Sequence, residues 1–342
     1  MSKIPVEVPT GAIRFNTDSN KMECFNGTKW MQVAVSSPDL GNSTNSDNHG
    51  GARGLFAGGY APGGSPSKVD IIDYINIASA GNAVDFGNLN STGYASNGCS
   101  SRTRGVVAGG HPTTTAIQYF TIASTGNAAV FGSLTQTRYY VGGLSNQTRG
   151  LFGGGTTNPA GTIYDIIDYI TIASTGDAID FGNLTTGRSR PGALSSPTRG
   201  IWAGGQTPSI SDIIDFITIS TLGNAADFGN LSSTIAGTGG LGNSIRGLIG
   251  GGGSPSNITR IDYVTISTLG DAVDFGDLTV ARNNTGATSS PTRGVWGGGY
   301  APGFKDEIDY VAIATQGNAV DFGNLTEARD GLSGISNAHG GL

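Results

Sequence analysis

The chain has 342 residues, of which 58 are glycine and only 13% are charged, about half the charged content of an ordinary soluble domain. Glycine costs about 1 kcal/mol at an interior helical position, so long helices are excluded and an all-β chain of short strands and tight turns is expected. The formal net charge is −6 and no basic run occurs, which argues against a nucleic-acid partner.

Residues 1–35 form the first unit. They start without the apolar core of a signal peptide, so export by the ordinary secretory route is not expected. Residues 12–16, 22–26 and 30–34 alternate like strands and are separated by the turn residues 17–21 and 27–29, which predicts a three-stranded β-meander. Such a meander is too small to bury a core alone, so it is an attachment piece that docks on another subunit or another protein. Residues 36–52 are rich in Ser, Asn, Asp and Gly and read as a flexible linker.

From residue 53 to 342 one phrase returns six times: Arg-Gly, two apolar residues, Ala or Gly, then Gly-Gly. It begins at Arg53, Arg104, Arg149, Arg199, Arg246 and Arg293, at spacings of 51, 45, 50, 47 and 47 residues. That period matches one four-stranded blade of a β-propeller, so six blades are predicted. A strand around an aromatic residue follows each phrase, at Tyr74, Tyr119, Tyr169, Phe216, Tyr263 and Tyr310. Twelve residues further stand Phe86, Phe131, Phe181, Phe228, Phe275 and Phe322. The constant interval allows no insertion between the two strands, and both aromatic series are expected in the core.

The stretch after each outer phenylalanine, as in Leu278-Thr-Val-Ala-Arg282, is expected to be the fourth, inner strand. Arginine recurs there at Arg138, Arg188, Arg282 and Arg329, while Gly93 and Ile235 depart from the pattern. A Leu-to-Arg step, a strand ending in Gly-Gly and spaced aromatics resemble the kelch repeat, with Phe where kelch repeats usually carry Trp. The resemblance implies a six-bladed kelch-like β-propeller. Residues 326–337 match the inner-strand phrase at 279–290 and no equivalent precedes Arg53, so the C-terminal segment is expected to supply the first blade's inner strand and shut the ring.

Two aspartate series punctuate the repeats. Asp73, Asp168, Asp215, Asp262 and Asp309 precede the first aromatic; Asp85, Asp180, Asp227, Asp274 and Asp321 precede the second. The second repeat has Gln118 and Val130 instead. Loss of both together predicts that the two series share one environment around an arginine, as a structural lattice and not as calcium sites, because apolar residues separate the carboxylates.

No catalytic constellation is present: His49, His111 and His339 lack a repeated carboxylate or nucleophile, and Cys24 and Cys99 lack metal-ligand or disulfide spacing. No enzyme activity, metal or cofactor is therefore expected. No apolar stretch is long enough to insert in a membrane. The variable loops after Gly-Gly are the candidate binding elements, because connections carry function while strands hold them. Their candidate residues are Tyr60, Lys68, His111, Asn158, Gln206, Asn257, Tyr300, Phe304 and Lys305. Aromatic platforms among amides and hydroxyls suit glycans or protein surfaces.

The phrase at residues 9–30, Pro-Thr-Gly-Ala-Ile-Arg-Phe-Asn-Thr-Asp-Ser-Asn-Lys-Met-Glu-Cys-Phe-Asn-Gly-Thr-Lys-Trp, resembles a short module common in bacteriophage tail-fibre and other virion structural proteins. The resemblance implies a virion protein, made in the host cytoplasm, that attaches to other virion proteins through the meander. It would display the propeller as a tail-fibre or receptor-binding component for multivalent host adhesion, and self-association into a homo-oligomer fits the same role. The alternatives are a head-decoration, neck or baseplate protein without receptor binding, and a polysaccharide-degrading enzyme.

Overall fold

The computed structural model describes residues 9–16, 21–32, 52–61, 67–157, 161–253 and 255–342. All regular elements among them are β-strands, with no helix. They belong to two compact units, one within Met1–Ser46 and the other within Asp47–Leu342.

In the first unit Ile13–Asn16, Lys21–Phe25 and Trp30–Gln32 pair antiparallel in chain order. Asn26 makes the second turn, its Oδ1 accepting from the backbone N–H groups of Thr28 and Lys29 at 3.0 and 2.9 Å. On one face Arg14 pairs with Glu23 at 2.7 Å and lies 4.2 Å over the Trp30 ring. The cross-strand row Ile13, Cys24 and Met31 forms the other face, with Ile13 64% exposed and Met31 46% exposed. Residues 36–51 of the expected linker lie outside the described residues, whereas Ala52 already packs on the apolar cluster around Phe56 in the second unit.

The second unit consists of six four-stranded antiparallel sheets and one two-stranded hairpin. In the third sheet Gly142–Ser145, Arg149–Gly153, Ile166–Thr171 and Ile179–Asn183 follow one another from inner to outer position. The other sheets repeat this plan, with inner strands Asn97–Ser100, Gly192–Ser195, Gly239–Gly242 and Gly286–Ser289 in sheets two, four, five and six. In the first sheet the inner strand is Ser333–Ser336, which pairs with Arg53–Tyr60 so that Ser333 faces Ala57 and Ser336 faces Gly54. Inner strands of successive sheets are neighbours in cyclic order, and Ser333–Ser336 touches the inner strands of both sheet two and sheet six. They approach closely enough that a Cβ on Gly143 or Gly240 would strike the backbone of Gly98 or Ala193.

The Leu-to-Arg step is not itself the inner strand, as the sequence had suggested. The strand starts four residues after the arginine, at Gly142, Gly192, Gly286 and Ser333. The arginine is turned into the sheet, where Arg138 Nη1 donates to the carbonyls of Gly154 and Ile166 at 2.8 and 2.7 Å.

The two aromatic series divide the packing. Phe86, Phe131, Phe181, Phe228, Phe275 and Phe322 are buried, each contributing roughly 1.5 to 3 kcal/mol. The third-strand aromatics meet them edge to face at 5.7 to 6.1 Å but are only half-buried. Their outer faces carry the Arg-Gly arginines, from Arg104 4.3 Å over Tyr119 to Arg149 5.0 Å over Tyr169. Each of these arginines also donates to a carbonyl of the next sheet: Arg53 to Ile122, Arg104 to Ile172, Arg149 to Ile219, Arg199 to Ile266, Arg246 to Ile313 and Arg293 to Ile77.

The first aspartate series is buried and paired with the inner arginines: Arg138 with Asp168 and Arg188 with Asp215 at 2.8 Å, Arg282 with Asp309 and Arg329 with Asp73 at 3.0 Å. Each carboxylate also accepts from a residue of the preceding sheet's outer turn, as Asp168 does from the N–H and hydroxyl of Thr135. Burial lowers the pKa of Arg188 and raises that of Asp215, with the partner charge opposing both shifts. Desolvation thus outweighs attraction, as expected for a buried ion pair. Charge is balanced where the arginine is missing. Beside Gly93 the acid is replaced by neutral Gln118, which accepts from the N–H of Asn90 at 2.6 Å; beside Ile235, Asp262 is kept and Arg260 reaches it at 3.1 Å. The second aspartate series is exposed, so the expectation of a shared environment for both is not met. A β-bulge between the third and outer strands, as at Ile167/Asp168, separates their surroundings.

Candidate functional site

The loops after Gly-Gly leave the sheets at the end where the inner strands begin. There the residue two after each Leu-to-Arg step takes a left-handed backbone conformation: Ala95, Tyr140, Arg190, Gly237, Asn284 and Gly331 have φ of 60, 57, 58, 71, 52 and 63°. Their peptides form a cyclic chain of hydrogen bonds, Ala95 N–H to Gly331 O, Tyr140 to Ala95, Arg190 to Tyr140, Gly237 to Arg190, Asn284 to Gly237 and Gly331 to Asn284, all between 2.7 and 3.0 Å. A cavity above this ring is lined by residues from the start of all six inner strands.

Around the cavity runs a band of aromatic rings. Tyr300 contacts Phe304 at 5.4 Å and Phe304 contacts Tyr60 at 5.6 Å; Tyr60 meets Tyr94 at 5.4 Å and Tyr94 meets His111 at 5.1 Å. From His111 the band continues to Tyr139 at 5.5 Å and to Tyr140 at 5.0 Å, where the Arg190 guanidinium lies 4.1 Å over the ring. Four of the sequence candidates, Tyr60, His111, Tyr300 and Phe304, are thereby joined in one surface, although they come from three repeats. Lys68 is close enough to act electrostatically on His111, whose pKa is lowered by burial first and by that ammonium second.

The other candidates have different surroundings. Asn257 donates to the Tyr300 carbonyl at 2.7 Å and so positions the neighbouring loop. Lys305 pairs with Glu307 at 3.4 Å. Gln206 bridges through its backbone to Ser189 and Ile210. Asn158 lies outside the described residues.

Sequence reasoning missed Tyr94, Tyr139, Tyr140, Arg190, Asn284 and Asp330. All stand one or two residues past the Leu-to-Arg step, where the repeats differ most while the flanking frame is constant; that contrast was the available signal. Burial raises the pKa of Asp330, opposed by a hydrogen bond from Asn284 Nδ2 at 3.2 Å and by the charge of Arg190.

Further along the inner strands lies a second cavity, lined by residues of all six strands and by the C-terminal residues His339 and Gly340. His339 lies there with Nε2 3.3 Å from the Ser100 carbonyl and 3.2 Å from Ser145 Oγ, while Nδ1 accepts from the Gly341 N–H at 3.1 Å. Gly340 N–H donates to the Gly242 carbonyl. Burial pushes the imidazole pKa down to about 4, so the ring is neutral at pH 7. Cys99, on an inner strand, is buried with its thiol pKa pushed up by desolvation. Among the described residues no cluster of three His, Cys, Asp or Glu could hold a metal ion.

Neither a protein-family model nor a curated protein matches this chain.

Proposed function

We propose that residues 53–342 form a six-bladed kelch-like β-propeller closed by the C-terminal strand, displayed by a bacteriophage virion protein for adhesion to the host surface. Support for closure comes from three cyclic sets of contacts: the inner-strand neighbours, the Arg-to-Ile bonds and the axial peptide ring. The virion assignment draws on the resemblance of residues 9–30. The apolar row Ile13, Cys24 and Met31 supplies the kind of surface by which a small meander docks on a larger partner.

The observation that carries the adhesive reading is the aromatic band on the loop face. At one end of the inner strands the chain's own tail lines the cavity, whereas the other end presents half-exposed tyrosine, phenylalanine and histidine rings beside amides and hydroxyls. Such rings stack on sugars or on protein side chains with little entropy lost. Single weak contacts of this kind become useful when many copies sit on one particle. Immunogold labelling of intact particles with antibody against the full chain tests the assignment. Gold on fibres or tail tip supports it, gold on the head favours a decoration role, and particles without gold overturn the virion reading.

A further inference from the structure

Six equivalent positions ring the axial mouth, and at Gly237 and Gly331 glycine meets the left-handed conformation without strain. Tyr140 and Arg190 adopt it at a cost of roughly 1 to 2 kcal/mol each. Glycine fills this position in two repeats and alanine in a third, so the frame does not require those side chains. A second, separate observation is polar: Asn284, which lines the same cavity as Tyr140 and Arg190, donates from Nδ2 to Asp330 at 3.2 Å.

We infer that this mouth binds one neutral sugar residue of a surface glycan, with a pair of adjacent hydroxyls donating to Asp330 and accepting from Arg190, next to the Tyr140 ring. The inference rests on the adhesive reading of the loop face and names the ligand class. A carboxylate accepts two neighbouring hydroxyls, and a guanidinium donates to sugar oxygens. Arg190 and Asp330 influence each other's charge without forming an ion pair. With one positive and one negative group the mouth is close to neutral, and the half-buried Asp330 disfavours a second carboxylate. An uncharged saccharide therefore fits better than an acidic one. Because the repeats differ at these positions, the site occurs once per molecule despite the sixfold frame.

The test is saturation-transfer NMR on the full chain with the methyl glycosides of galactose, glucose, mannose and N-acetylglucosamine, and with glucuronic and N-acetylneuraminic acids as charged probes. Adsorption of the same protein to host cells is measured in parallel. The expected result is transfer to at least one neutral glycoside, with affinity lowered tenfold or more by Asp330→Asn and by Arg190→Gln. Tyr140→Gly removes the ring at a position where Gly237 and Gly331 stand in other repeats, so it should weaken sugar binding without lowering the melting temperature, whatever the charged variants do to folding. Transfer to the acidic probes alone, transfer indifferent to all three variants, or no transfer overturns the site. Adsorption that persists without sugar transfer leaves adhesion standing, whereas loss of adsorption itself removes the reading beneath it.

Discussion

Arg293 Nη1 donates to the carbonyl oxygen of Ile77 at 3.1 Å, so the arginine opening the last repeat is anchored in the first sheet, 216 residues away in the chain. The same bond joins every other neighbouring pair of sheets at a separation of 67 to 70 residues. The long-range contact is therefore the ordinary one, made between the sixth sheet and the first.

Ending the chain after Leu325 would remove Ser333–Ser336, Arg329 and Thr326, leaving Asp73 buried without the arginine and hydroxyl that satisfy it. Exposure of the Arg53–Tyr60 edge would add a route to aggregation. The truncated protein is expected to melt at least 10 °C lower, or to be insoluble; calorimetry showing an unchanged melting temperature would refute the join.

Arg188→Met should destabilise the protein by about 3 to 5 kcal/mol, because Asp215 is left as an uncompensated buried charge. The double variant Arg188→Met, Asp215→Asn should recover most of that loss, since Gly93 with Gln118 already shows a sheet built without either charge. Urea unfolding of the two variants checks both statements. A double variant no more stable than the single one would mean that the lost bonds to backbone carbonyls dominate.

His339 gives a pH dependence of known sign. Its folded pKa, about 4, lies below the unfolded value near 6.5. Between those values the unfolded chain takes up a proton that the folded one refuses, so stability falls as pH drops from about 6.5 to 4 and the contribution levels off below. His339→Gln should flatten this part of the profile relative to the parent, measured as the difference in melting temperature between pH 7 and pH 4.5. Parallel profiles for the two proteins would show that the ring does not remain neutral in the folded chain.

Tyr60→Ala combined with Phe304→Ala interrupts the aromatic band between the Tyr300 end and the Tyr94 side. Adsorption of the full chain to host cells is expected to fall at least tenfold, while the melting temperature moves by only a few degrees, because both rings are half-exposed. Unchanged adsorption would place the adhesive surface elsewhere.

Much of the frame was legible because a repeat that buries a constant face must restate the same residues at each turn. The six Arg-Gly phrases and the twelve-residue aromatic interval marked the sheets, and the match of residues 326–337 to 279–290 pointed to the segment that pairs with Arg53–Tyr60. The inner strand was placed too early because Leu and Arg at its approach resemble strand residues by composition. Only the folded chain shows Arg138 turned inward onto the carbonyls of Gly154 and Ile166. The aspartate series were merged for a related reason: Asp168 and Asp180 face each other in register, and a bulge divides a buried site from an exposed one.

The amino-acid sequence by itself determined the all-β class, the sixfold repetition and the loops that vary, since these follow from local period, turn chemistry and spacing. The tertiary structure decided which varying residues meet. Tyr300 and Tyr140 stand 160 residues apart in the chain yet belong to one aromatic band, because cyclic packing carries the end of one repeat to the start of another. It also decided that His339 is buried against the inner strands while Arg190 and Asp330 come within electrostatic reach of each other at their other end. No local pattern encodes such a meeting, because it depends on where six sheets converge.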